Sequence, residues 1–236
     1  MRVRRGRLLL GESGRAPAAA LLAGCVIIVV VLGLLFKGQT QADRFDNAVD
    51  SPFITFFAGH KQLLLWLAAP GTLVPAVVIS VAIALWCLFA GRLNGAVLAL
   101  AAVPIATGLD DGLLKHVFSR TYLGGLSFPS GHTSSVVALT AILALLLFVP
   151  PQQTSTRAAR VALLCVCFVA VAVVVVAVMA LEWHYFTDTV AGAAVGVGTV
   201  CALALTLDLA WPSPGARGQP QDVVASAARH SNGRLP

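Results

Sequence analysis

Charge is what this sequence has least of. Of its 236 residues, 11% are Asp, Glu, Lys or Arg, against about 25% in an ordinary soluble domain. Apolar residues make up 58%, and the mean hydropathy is +0.88. A soluble core of this size cannot hide so much apolar surface and still be covered by polar groups. The same composition excludes disorder over most of the length. Also missing is a basic stripe on a polar domain, so the net charge of +6 does not indicate nucleic-acid binding. Cysteine is sparse. Cys25, Cys87, Cys165, Cys167 and Cys201 all fall inside apolar runs and read as small core residues, with no disulfide expected. No zinc-type Cys/His spacing and no His-Glu-x-x-His occurs, and Asp110-Asp111 is too little for a carboxylate site. No metal or cofactor is expected.

What is present is a series of apolar blocks, at about 17–36, 71–90, 94–113, 132–149, 160–182 and 187–210. Each approaches the ~20 residues that cross ~30 Å of hydrocarbon. The expected fold class is therefore all-α: a polytopic membrane protein with six transmembrane helices in a bundle. An amphipathic stretch at 53–69 precedes the second block, and Pro75 and Pro104 lie inside blocks, which membrane helices tolerate. The first block is long enough to span and no small-x-small cleavage site follows it, so it reads as a retained helix rather than a signal peptide. Gly192-x3-Gly196 in the last block is a close-packing signal.

With the N-terminus inside, the inner segments carry eleven Lys and Arg and the outer ones five. The positive-inside rule then puts both termini in the cytoplasm of a cell (plasma) membrane protein. Three parts are expected: a basic segment at 1–16, the six-helix domain at 17–210, and a disordered cytoplasmic tail at 211–236.

In this topology three polar segments gather at the outer face. Asp110 to Arg120 includes Lys115; Ser127 to Ser135 contains Pro129-Ser130-Gly131-His132; Glu182 to Asp188 contains His184. Ionisable groups at membrane depth are costly and default to a functional hypothesis. Ser130 is placed to cap the fourth helix, leaving the Gly131 and His132 amides at its positive end as an anion site. An ordinary cap beside a stray histidine is the plainer alternative. His184 and Asp188, four apart, share a helical face, so the carboxylate can orient one ring nitrogen and free the other. Read more plainly, they are a structural pair at a helix end. Lys115 and Arg120 are either phosphate ligands or interfacial anchors.

At these residues the sequence resembles the type 2 phosphatidic acid phosphatase superfamily, over about 55–210. The resemblance rests on Pro129-Ser130-Gly131-His132 followed some fifty residues later by His184-x3-Asp188. It implies His184 as nucleophile forming a phosphohistidine, Asp188 orienting it, and His132 as the acid and then the base. Lys115, Arg120, Ser130 and Gly131 would bind phosphate. The implied activity is hydrolysis of a lipid phosphate or an isoprenoid pyrophosphate. A non-catalytic lipid-phosphate binder or transporter, and a phosphotransferase on the same fold, are the alternatives. The expected partners are the lipid phosphate and the membrane, with no nucleic acid; the sequence does not speak to oligomeric state. Two family positions differ. Tyr122 and Leu123 stand where the family has Arg-Pro after the lysine, and Arg120 is expected to take the arginine's place. Ala177 and Val178 stand where it has Ser-Arg, with no second cation expected to replace that arginine.

Overall fold

In a computed structural model the protein is described over residues 8–148 and 156–210. Arg2, Arg4, Arg5, Arg7 and the 211–236 tail, on which part of the charge argument rests, lie outside the described residues. The long helices are α1 (Gly11–Leu35), α4 (Leu73–Phe89), α5 (Leu93–Leu109), α7 (Gly131–Phe148), α8 (Arg157–Ala180) and α9 (Phe186–Ala210). Shorter ones are α2 (Arg44–Phe56), α3 (Lys61–Ala68) and α6 (Lys115–Phe118). A π-helical turn at Asp110–Leu114 joins α5 to α6, so the third apolar block continues as one helix to Phe118. Among the described residues, five helices are long and apolar enough to span a membrane, and a sixth span forms if the pair Lys61–Gly71 and Leu73–Phe89, bent by 41°, is counted as one. The chain is a multi-pass helical membrane protein. Among the described residues, the one departure from an all-α fold is a short antiparallel pair, β1 (Thr121–Tyr122) with β2 (Gly125–Leu126). The expected boundary at 16/17 moves, because α1 starts at Gly11.

Apolar side chains on the outer surfaces of α1, α4 and α8, such as Ile27, Val78 and Phe168, are exposed. That is the surface a helix shows to lipid, where burial by protein is not required. Between the helices the packing is of small residues. Ala99, Ala102, Ala106, Ala138, Ala191 and Ala204 are fully buried. Gly192 and Gly196 put one face of α9 directly against α7. A Cβ on Gly192 would overlap the Ser130 carbonyl, and one on Gly196 would sit 2.6 Å from that of Ser134. The Ser134 hydroxyl donates to the Gly192 carbonyl at 2.9 Å across the same contact. At Gly71, between α3 and α4, a Cβ would lie 2.8 Å from the His132 carbonyl, so the bend in that span is also where the backbone admits the start of α7.

Helix ends at the opposite side of the bundle are closed by side chains. Asp208 is fully buried and accepts from the amides of Leu9, Leu10 and Gly11, capping α1. Arg92 and Arg160 donate to the Leu146 and Leu147 carbonyls at the end of α7. The other end of α7 points into the polar cluster.

Gly192→Ala should lower the thermal midpoint of the detergent-solubilised protein. The added methyl improves helix propensity by about 1 kcal/mol but meets backbone that cannot rotate away, a cost of about 1–3 kcal/mol. A midpoint equal to or above that of the parent protein would mean that α7 and α9 are not in this contact.

Candidate active site

The site is assembled at the end of the bundle where α5–α6 stops, α7 and α9 start and α8 stops. Each junction has a local cause. Ser119 adopts a left-handed conformation (φ 51°) after α6, its amide bonded to the Lys115 carbonyl, and this turns Arg120 inward. Glu182 adopts φ 58° after α8, with its amide bonded to Met179 and the Trp183 amide to Val178, a Schellman-type end held by a non-glycine residue. It delivers Trp183 and His184 to the mouth of the bundle. Ser130 precedes α7 and its hydroxyl accepts from Thr133, the amide at 3.5 Å and the hydroxyl at 3.2 Å.

His132 and His184 face one another with ring centres 6.0 Å apart, and Trp183 packs on His132 at 5.2 Å. A cavity of 770 Å³ opens beside them, with Lys61, Lys115, Tyr122 and Glu182 among its polar walls and Ile54, Phe57, Leu64, Leu123 and Leu126 among its apolar ones. A second cavity of 520 Å³ reaches Lys115, His132 and His184 from the side of Gly71, Pro104 and Gly131. Lys115, Gly131, His132 and His184 therefore come together, as the sequence pattern predicts.

Three other expected residues do not reach these cavities. Arg120 is fully buried, with Nη2 2.5 Å from Asp46 and Nη1 2.6 Å from Asp188 and 2.7 Å from the Thr187 hydroxyl. Its guanidinium is stacked between the Phe36 and Tyr185 rings at 4.3 and 4.2 Å. The expectation that Arg120 binds phosphate is corrected accordingly: both terminal nitrogens are taken by Asp46, Asp188 and Thr187, Nε is buried without a partner among the described residues, its faces are covered, and it lines neither cavity. Asp188 was expected to orient His184. Its oxygens instead take Arg120 and the Tyr185 amide, at 3.0 Å. The partner of His184 Nδ1 is the Ser127 carbonyl, at 2.8 Å. A carbonyl only accepts, so Nδ1 carries the proton and Nε2 presents its lone pair. Ser130 is buried and lines neither cavity, its hydroxyl serving α7.

Burial first, then the neighbouring His132 and Lys115, pushes the His184 pKa down to about 3. The ring is neutral at physiological pH, the state a nitrogen nucleophile needs. Lys115 is paired with Asp111 at 2.8 Å one helical turn away.

Sequence reasoning missed Asp46, Asp50 and Lys61. Asp46 accepts from the Thr187 amide and hydroxyl as well as from Arg120, and Asp50 from the Phe186 amide at 3.4 Å. Both carboxylates lie on one face of α2 at a spacing of four, and that spacing is the one signal the sequence offered. Ser127 acts through its carbonyl, which has no sequence signature.

A family model described as the PAP2 superfamily matches residues 18–211. Among solved structures, the chain is similar to a crystal structure described as the first transmembrane PAP2 type phosphatidylglycerolphosphate phosphatase from Bacillus subtilis. The TM-score is 0.61 at 17% identity, over 80% of this chain and 96% of that one. No curated protein matches the chain.

Substitutions in the buried cluster should rank by the charge they strand. Arg120→Met leaves two carboxylates facing each other without a cation, at a cost of about 3–5 kcal/mol. Asp46→Asn leaves the Arg120–Asp188 pair intact and should cost clearly less. Thermal unfolding in detergent gives the order, and the reverse order would mean that Arg120 is not shared between the two carboxylates.

Proposed function

Because the chain belongs to the PAP2 superfamily, we propose that it is a membrane phosphatase that cleaves a lipid phosphate or isoprenoid pyrophosphate through a phosphohistidine on His184. The observation that carries this reading is the neutral His184, with Nδ1 held by the Ser127 carbonyl, facing His132 across a cavity that also holds Lys115.

In the first step His184 Nε2 attacks phosphorus, a P–N bond forms and the P–O bond to the leaving group breaks. His132 donates the proton that the departing oxygen needs. In the second step His132 takes a proton from water, whose oxygen attacks phosphorus, and the P–N bond breaks to release phosphate and neutral His184. Lys115 and the amides of Gly131 and His132 at the start of α7 stabilise the non-bridging oxygens. Asp188 is a positioning residue here: it fixes the Tyr185 amide directly after His184 and anchors Arg120. No step uses a metal ion. The apolar walls at Phe57, Leu64 and Leu126 suit the hydrocarbon next to a lipid head group.

The excess of Lys and Arg in the segments on the other side supports an outward-facing site with cytoplasmic termini and a cytoplasmic 211–236 tail in a plasma membrane. A cysteine replacing Gly124, in the turn between β1 and β2, should react in intact cells with a membrane-impermeant thiol reagent. Protection in intact cells with labelling only after lysis would reverse the orientation.

The covalent step is tested by rapid quench with a labelled activated phosphate ester, kept alkaline because phosphohistidine is acid-labile. Labelled His132→Ala enzyme should accumulate, since a good leaving group needs little acid while water attack still lacks its base. His184→Ala should take up no label, and equal labelling of the two variants would remove His184 as nucleophile. Measured as initial rates, the labelling of His132→Ala should titrate below the ordinary histidine value, because burial, the largest cause of the lowered His184 pKa, and Lys115 both remain when the His132 charge is removed. A fall with a midpoint near the ordinary histidine value of about 6.5 would contradict the buried neutral state.

A further inference from the structure

Two arginines that the family pattern places at the phosphate are absent from this cavity. Tyr122 stands at one position, its ring packed against Tyr185 at 4.3 Å with a 37° tilt, and Val178 at the other. Val178 is fully buried in an apolar cluster with Leu64, Ala68, Val174 and Ala177, where α3 packs on α8. An arginine at 178 would have to sit under α3. With valine there α3 closes onto α8, and Lys61, one turn before Leu64 at the start of α3, lines the cavity shared by Lys115, His132 and His184.

The two lysines of this cavity are not equivalent. Lys115 is already neutralised by Asp111 at 2.8 Å. Lys61 is exposed to the cavity and forms no ion pair among the described residues. A phosphate dianion entering between the histidines therefore meets one cation that shares its charge with a carboxylate and one that is free. Without Lys61 the cavity side chains, counting Lys115 against Glu182, carry no net positive charge apart from protonated histidine.

We propose that Lys61 is a phosphate-binding residue of this site, supplying from the start of α3 the charge that the missing arginines would supply. The proposal rests on the phosphatase reading for its substrate, the phosphoryl group of an amphiphile, but not for its anion chemistry. Lys61 bonds to a non-bridging oxygen as a point charge, and the flexible stem lets it follow the phosphoryl group from ester to phosphohistidine. Because α3 packs on α8 beside Val178, closing this wall and delivering the cation are one structural event.

The test is calorimetric titration of the full-length detergent-solubilised protein with orthovanadate, alongside phosphate release from a panel of lipid phosphates. Lys61→Met should weaken orthovanadate at least tenfold, about 1.4 kcal/mol, and lower kcat/KM by a similar factor, at an unchanged thermal midpoint. Lys61→Arg should recover most of the binding. Lys37→Met, an exposed lysine just beyond α1 that lines neither cavity, should bind as the parent does. Orthovanadate affinity unchanged in Lys61→Met, an equal loss in Lys37→Met, or no binding by the parent protein would each overturn the proposal. Selective loss in Lys61→Met from a protein that hydrolyses no lipid phosphate would uphold the anion site and sink the phosphatase reading instead.

Discussion

The histidine end of this bundle hangs on one guanidinium. Arg120 joins the turn after α6, the start of α9 and the face of α2 through Asp188, Thr187 and Asp46, all without exposure to solvent. A buried cation in a membrane protein is tolerable only when charge and hydrogen bonds are returned to it. Here two carboxylates and a hydroxyl do so, and the Phe36 and Tyr185 rings cover its faces. Because Asp188 also holds the Tyr185 amide, the residue after His184 is tied to the same centre. His184 is thus placed by a network that lines neither cavity.

The second constraint is the rule that backbone polar groups away from water need partners. Asp208 meets it at the start of α1, and Arg92 and Arg160 meet it at the end of α7. At the start of α7 the positive helix end, with Gly131 and His132, borders the cavities. The close approach of α9 at Gly192 holds that end in place against the Ser130 carbonyl.

Burial does the chemical tuning. It keeps His184 neutral, and the Ser127 carbonyl selects its tautomer, so no carboxylate is needed on the ring itself. Freed from that task, Asp188 serves the architecture. The cations are divided accordingly: arginine inside the protein as a strut, lysines on the cavity wall. A bidentate arginine is best spent where two fixed carboxylates await it, and the compact lysine charge where the ligand moves.

By itself the sequence determined the class of molecule and which of its motif residues meet at one end of the bundle. Length and hydropathy of the blocks decide that these helices lie in a membrane, because ~20 apolar residues match the hydrocarbon thickness. The motif spacing sufficed to bring Lys115, Gly131, His132 and His184 to one end, since each lies within a turn of a block boundary. Which partner each side chain takes was not legible. Arg120 and Asp188 are 68 residues apart and Asp46 lies 74 from Arg120; nothing local marks them as a cluster. His184 and Asp188 share the spacing of a pair, yet His184 lies in the turn before α9 rather than on the helix, so the four-residue rule does not apply to it. Lys61 stands outside every motif and enters the cavity only because α3 folds back on α8. Only the tertiary structure decided these pairings, because a buried charge goes to whichever opposite charge the packed helices bring within reach, and sequence distance has no part in that competition.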